Sequence, residues 1–213
     1  MRDGPRERGD RRNEEWVAHG VPPEEMDRLV REQARGRFAI CAIVGAGESD
    51  AEVRGGFKSL GYRLAATEEL MRHPLRRIPK PVAPADVQRV TTPALAERLA
   101  RAARRRQILP EHLVPDAEVP LRAYVALSDG EIVGWVRSVV VGSSTWCSNM
   151  LVTPPFRRRG IGRALVSAAL RDDRAAGARQ SVLLASHVGA KLYPVLGYIT
   201  IGTLLLFSPG KRR

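Results

Sequence analysis

Thr145 to Gly162 reads T-W-C-S-N-M-L-V-T-P-P-F-R-R-R-G-I-G and leads straight into an amphipathic run. Thr145 to Val152 has the apolar character of a strand. Proline has no N–H to give to a ladder, so Pro154 and Pro155 require the strand to end or bulge there. The turn that follows, Arg157 to Gly162, fits Arg/Gln-x-x-Gly-x-Gly/Ala and opens a helix. Unpaired N–H groups at a helix start, glycines that let backbone come close, and adjacent arginines together suit a diphosphate.

Downstream of the turn, Ile161, Leu165, Val166, Ala169 and Leu170 fall on one helical face, with Arg163, Ser167, Arg171 and Arg174 expected outward. A short apolar strand at Ser181 to Ala185, a short helix at Val188 to Leu196 and a last strand at Ile199 to Phe207 complete this side. Upstream, Leu121 to Leu127 and Ile132 to Val141 flank Asp129-Gly130, a tight hairpin turn. With Thr145 to Val152 they form an antiparallel meander. Before them, Val87 to Val90 is a short strand. Thr92 caps a helix with Pro93 in its first position and Leu95 and Leu99 on one face, running to about Arg106. A proline-punctuated loop follows, with one helical turn at Glu111 to Leu113.

Prolines from Pro74 to Asp86 are too dense for regular structure and mark a linker. The expected organisation is a basic mobile tail over 1–20, an N-terminal subdomain over 21–74, a linker over 75–86 and a larger domain over 87–209. In the subdomain, Glu24 to Ala34 is an amphipathic helix with Met26, Leu29 and Val30 at helical spacing. Phe38 to Val44 is a buried strand. Ser49 and Glu52 make a capping box for a helix to about Leu60, and Tyr62 to Met71 is another strand. Gly45-Ala46-Gly47-Glu48-Ser49-Asp50 imitates the opening of a dinucleotide fingerprint, but Asp50 replaces its last glycine and would set a negative charge against a pyrophosphate.

The 213 residues give room for one domain with a real core and an appendage. A net charge of +12 favours anionic partners. The arginine pairs lack aromatic interleaving and no zinc-finger spacing occurs, so nucleic acid is disfavoured. Cys41 and Cys147 sit in apolar runs without metal-ligand spacing and read as buried free thiols, so no metal is expected. No apolar run approaches the roughly 20 residues that cross a bilayer. The charged N-terminus has no apolar region behind it, which points to a cytoplasmic protein.

The order strand, helix, three meandering strands, helix, strand, helix, strand, with R-R-R-G-I-G at 157–162 and A-K-L-Y-P-V-L-G-Y at 190–198, resembles the GNAT superfamily of acetyl-CoA-dependent N-acetyltransferases over Val87 to Pro209. The resemblance implies an α/β (α+β mixed) fold: a twisted mixed sheet flanked by helices, whose central strands splay around the cofactor. It implies acetyl-CoA on Met150, Leu151, Val152, Arg157, Arg158, Arg159, Gly160, Ile161, Gly162, Arg163, Ala164 and Ser186. Backbone N–H groups of Arg159 to Ala164 would cradle the pyrophosphate, and free backbone groups of Met150 and Val152 would take the pantetheine arm. Tyr193 matches the family's general acid in position and type. No general base stands out: the strand before the turn offers only Ser148 and Asn149, while His187 and Glu111 qualify by side-chain chemistry alone.

Phe57 to Met71 aligns without gaps on Tyr193 to Phe207, with Leu, Gly, Tyr, Thr and Leu coinciding. On a repeat reading, residues 36–73 are a degenerate half-copy in which Phe57 stands where Tyr193 does and no R-x-x-G-x-G turn exists. Its open roles are walling the acceptor site or mediating a homodimer. The expected activity is acetyl transfer to a primary amine, on a small molecule or a protein, by direct attack. The alternative is a catalytically silent acyl-CoA sensor or scaffold.

Overall fold

The computed structural model describes residues 13–80, 86–114, 119–187 and 189–210, which form a mixed α/β fold divided into two compact units. One holds the described residues up to Leu70 together with those from Thr200 onward; the other is Met71–Ile199.

The first unit contains β1 (Asn13–His19), α1 (Pro23–Gln33), β2 (Arg37–Gly45), α2 (Ala51–Ser59), most of β3 (Tyr62–His73) and nearly all of the last strand, β9 (Ile199–Pro209). β1 and β2 run parallel. β9 lies between β2 and β3 and pairs antiparallel with β2, from Ile40 opposite Phe207 to Gly45 opposite Gly202. Two expectations are corrected here. Part of the supposed tail, Asn13–His19, is a strand, because its backbone finds a parallel partner that local composition does not announce. The last strand belongs with the first unit rather than with a domain over 87–209, because its ladder runs to β2 and its Phe207 ring stacks 4.6 Å from that of Phe57. The boundary falls at Leu70/Met71, ahead of the proline-rich stretch, of which 81–85 lie outside the described residues. Residues 1–12 also lie outside them. The expected capping box does not form: α2 has Asp50 at its N-cap without a side-chain cap, and Ser49 Oγ accepts from Ala51 N at 3.3 Å.

The second unit contains β4 (Asp86–Arg89), α3 (Pro93–Ala103), β5 (Leu121–Ser128), β6 (Glu131–Val141), β7 (Ser144–Val152), α4 (Ile161–Ala175) and β8 (Gln180–Ala185). Its strands lie in the order β8-β7-β6-β5-β4. Asp129 and Gly130 turn the β5–β6 hairpin, both with positive φ (51° and 78°), as a two-residue primed turn requires. Thr92 Oγ1 accepts from Leu95 N at 3.3 Å and caps α3. One face of the sheet packs on α4 and the other on α3. The expected helix over 188–196 is instead two 3₁₀ turns, Gly189–Lys191 and Pro194–Leu196: the Pro194 ring cannot sit inside a continuous helix. Val188 lies outside the described residues.

Leu165, Val166 and Leu170 of α4 are almost wholly buried, each side chain stabilising the packing by about 1.5–3 kcal/mol. Ser167, expected outward, is buried as well. Asp173 is the decisive polar residue. Its Oδ1 accepts from Arg122 Nη2 and from Ser138 Oγ, each at 2.7 Å, and its Oδ2 accepts from Thr145 Oγ1 at 2.7 Å. One buried carboxylate thus ties α4 to β5, β6 and β7. Next to it, Tyr124 donates to Asp172 Oδ2 at 2.9 Å. Removing one partner of such a buried pair strips the other charge of a counter-charge at 2.7 Å. Asp173→Ala is therefore expected to cost about 3–5 kcal/mol of unfolding free energy in urea, against about 1 kcal/mol for Asp172→Ala, whose partner is a neutral hydroxyl.

Candidate active site

The ladder between β7 and β8 covers only Ser144–Trp146 against Gln180–Val182. Beyond it, among the described residues, β7 has no strand partner on that edge from Cys147 to Val152. On its other edge β7 is bulged. Trp135 pairs with Leu151 and Arg137 with Ser148, so Asn149 and Met150 together oppose Val136 alone. Asn149 sits at φ 52°, a left-handed conformation that asparagine tolerates better than most residues. The strand ends at the prolines as expected, and the bulge is a separate feature upstream. The prolines themselves close the strand with a 3₁₀ turn, Pro154–Phe156.

Helix α4 begins where the strand chemistry ends. Gly160 caps it at φ 79°, preceded by Arg158 at φ 64°, with no side-chain cap and no acidic residue in the first turn. Ala164 N already donates to Gly160 O at 3.0 Å, so the cradle of free N–H groups expected over Arg159 to Ala164 stops at Arg163. A Cβ on Gly162 would lie 2.5 Å from Met150 Cε, so only glycine lets the bulge residue and the helix start approach this closely without Met150 moving. The arginines divide their work. Arg157 Nε donates to Val152 O at 3.0 Å, which engages the carbonyl expected to be free. Arg159 lies over the Phe156 ring, 5.3 Å from its centroid. Arg163, expected outward, has a buried Nε with no partner. The α4 start therefore presents three backbone donors and an unpaired guanidinium nitrogen, a set that fits a pyrophosphate.

Of the other expected residues, Leu151 is exposed on the opposite face, paired with Trp135. Ser186 caps the first 3₁₀ turn, its Oγ accepting from Gly189 N at 3.3 Å. Tyr193 is buried in the cluster that contains Cys147 and Leu196, its ring 5.4 Å from that of Tyr198. Burial, then the neighbouring Cys147, push its phenol above the ordinary value. Burial likewise pushes the Cys147 thiol up to about 12. His187 and Glu111 are both exposed.

Sequence reasoning missed a polar group on the α3 side of the bulge. Arg105 Nη2 donates to Asn149 Oδ1 at 2.9 Å, Asn149 Nδ2 donates to Gln107 Oε1, and Gln107 Nε2 donates to Arg105 O at 3.3 Å. Ser148-Asn149, the polar pair inside an apolar strand, was the available signal. In the first unit Glu48 folds its carboxylate onto Gly45 N at 3.0 Å, filling the turn that imitates a dinucleotide fingerprint.

Residues 120–200 match the family model described as an acetyltransferase (GNAT) domain. Over these residues the chain is similar to GNAT acetyltransferase domains. Solved GNAT structures share the wider fold. A GCN5-related N-acetyltransferase from Kribbella flavida is 17% identical with TM-score 0.63, covering 91% of this chain and 78% of that one. Another from Sphaerobacter thermophilus is 22% identical with TM-score 0.58, covering 89% and 67%. A tandem GNAT protein from the clavulanic acid biosynthesis pathway is 15% identical with TM-score 0.54, covering 85% and 66%. At such identities the likeness is one of fold. No curated protein sequence matches the chain. The GNAT family uses acetyl-CoA as acyl donor, and the open β7 edge with the α4 start stands in the part of the chain that the domain covers.

His73 fixes the turn that carries Tyr193. Its Nδ1 accepts from Leu75 N at 2.9 Å while its Nε2 lies 3.0 Å from Leu196 O, an arrangement that calls for the neutral ring with Nε2 protonated. Burial lowers its pKa from the ordinary value. The unfolded chain then binds more protons near and below pH 6.5, so stability falls as pH drops through that range. Urea midpoints are expected to decline between pH 7.5 and 5.5 in the wild type, and less steeply in His73→Gln.

Proposed function

We propose that the protein is an N-acetyltransferase that moves the acetyl group of acetyl-CoA to a primary amine by direct attack, with Tyr193 as general acid. The observation that carries this reading is the open edge of β7 from Cys147 to Val152, ending beside an uncapped helix start that holds three free N–H groups and the unpaired Arg163 Nε. When bound, acetyl-CoA supplies an acyl thioester whose leaving group is a thiolate. The Met150 and Val152 region of the bulged strand offers backbone groups to the amide-rich pantetheine arm, and a backbone N–H there polarises the acyl carbonyl. A neutral amine nitrogen attacks the carbonyl carbon, the C–N bond forms and the C–S bond breaks. Tyr193 gives its phenolic proton to the departing sulfur and regains one from solvent, which takes the proton the amine loses.

Burial keeps the phenol protonated across the neutral range, so it arrives at the reaction with a proton to give. A covalent route through Cys147 is disfavoured, since a thiol with a pKa near 12 is scarcely ionised at neutral pH. One observation favours the second reading, a catalytically silent acyl-CoA sensor: the two sequence candidates for a base, Glu111 and His187, are exposed and hold no hydrogen bond at the bulge among the described residues.

The N-terminal unit fits a degenerate half-copy of the same architecture. Strand, helix, parallel strand, helix and strand follow in order from β1 to β3, as β7, α4, β8, two 3₁₀ turns and β9 do later. The aligned rings repeat as well: Phe57 and Tyr62 stand 5.6 Å apart at 80°, and Tyr193 and Tyr198 stand 5.4 Å apart at 67°. On this reading the earlier copy begins at Asn13 and carries Phe57 in place of the acid.

The test is a free-thiol assay over an amine panel with wild type and Tyr193→Phe. Turnover in the wild type and a fall of kcat by about 100-fold or more in the variant, with coenzyme A affinity kept, is the expected result. Full turnover in the variant removes Tyr193 from the mechanism. Coenzyme A binding with no turnover across the panel favours the sensor.

A further inference from the structure

On the α3 side of the bulge, opposite the face that packs on α4, stands a cation with no partner among the described residues. Arg137 stands in the middle of β6, half-buried and paired across the sheet with two small residues, Ala123 on β5 and Ser148 on β7. Its Nε is buried without a hydrogen bond, and none of its nitrogens meets a carboxylate among the described residues. Arg105 lies close enough that its charge, after burial, disfavours the charge on Arg137. Arg105 is itself fixed: it donates to Asn149, and Gln107, 2% exposed, braces both from the same loop. On the same face of β6, two residues back, the indole Nε1 of the buried Trp135 also lacks a partner.

A buried charge is normally paired, and a buried N–H donor normally finds an acceptor. Here two guanidiniums and an indole N–H share one side of the bulge, every one of them a donor. Nothing the described chain places there accepts from Arg137 or from Trp135. What would satisfy them is an anion, and arginine forks suit carboxylate and phosphate oxygens best. The place matters as much as the charge. Arg137 is paired with Ser148, next to Asn149 and Met150, the residues whose displaced backbone faces the acyl group in the proposed reaction. An anion held at Arg137 therefore sets a short-tethered amine near the carbonyl carbon.

We propose that Arg137 and Arg105 form an acceptor subsite for an anionic group, so that the substrate amine carries a carboxylate or phosphate a few bonds from its nitrogen. This rests on the acetyl-transfer reading for its meaning, but the subsite can be tested by binding alone. It selects among acceptor classes: amines of the amino-acid or phosphoryl-amine kind are taken, whereas polyamines and aminoglycosides meet two fixed positive charges.

The experiment is calorimetric titration of the full-length chain, with coenzyme A present and absent, using β-alanine, phosphoethanolamine, propylamine and spermidine as probes. The wild type is expected to bind at least one anionic amine about tenfold or more tightly than propylamine, and Arg137→Met is expected to abolish that preference. Arg105→Met, a change at an exposed position, is expected to weaken it, and coenzyme A affinity measured on the same samples reports whether each variant is folded. Tighter binding of β-alanine assigns the carboxylate as the ligand chemistry, and of phosphoethanolamine the phosphate. Equal or tighter binding of propylamine or spermidine, or a preference that survives both substitutions, overturns the subsite. Anionic amines that bind through Arg137 but are never acetylated leave the subsite standing and overturn the transferase reading. Acetylation confined to neutral amines does the reverse.

Discussion

A single buried carboxylate holds the second unit in register. Asp173 lies in the last turn of α4 and receives hydrogen bonds from three consecutive strands through Arg122, Ser138 and Thr145. Burying a charge is costly, and the cost is offset only when its partners are present in good geometry. The arrangement is therefore intolerant of sliding: α4 can sit on β5, β6 and β7 in one position. Because α4 is a rigid rod, fixing one end fixes the other, and its other end is the uncapped start at Gly160 to Arg163. The N–H donors of the helix start are placed by a charge buried some three helical turns away.

The same constraint gives the β7 irregularities their meaning. Thr145, bonded to Asp173, lies within the short stretch where β7 and β8 pair. One pair later, at Trp146, the ladder stops, and the strand bulges where Gly162 leaves room for Met150. An open edge, a bulge and a helix start follow one another within about fifteen residues. The two faces of this strand differ in character. The α4 face is apolar and carries Cys147, Tyr193 and Tyr198. The α3 face carries Arg105, Asn149 and Arg137, where unpaired donors accumulate.

What could be read from the chain was local. The basic turn, the apolar stripe of α4, the hairpin at Asp129-Gly130 and the cap at Thr92 each depend on residues within a few positions of one another, and the helix period or turn chemistry exposes them directly. The GNAT turn and the Tyr193 segment were legible for the same reason. What stayed hidden was pairing at a distance. Asn13–His19 looks like a polar tail until β2 is placed beside it, and β9 reads as the end of the catalytic unit until its ladder to β2 is known. Polar residues in buried positions misled in the same way: periodicity assigns Ser167 to solvent, and only the strands opposite show why Asp173 is not there too. Arg137 was invisible as a site residue because its significance lies in partners that are missing, and Asn149 because a bulge is a property of two strands.

The proposed cofactor site is tested most directly by locating where coenzyme A touches the protein. Hydrogen–deuterium exchange with and without saturating coenzyme A reads this at the level of backbone amides. The expected result is slowed exchange concentrated in two segments, 147–152 on the open edge of β7 and 158–163 at the start of α4, with the turn at 45–50 unchanged. Protection at 45–50 in place of these segments, or no protection anywhere, contradicts the assignment of the cofactor site.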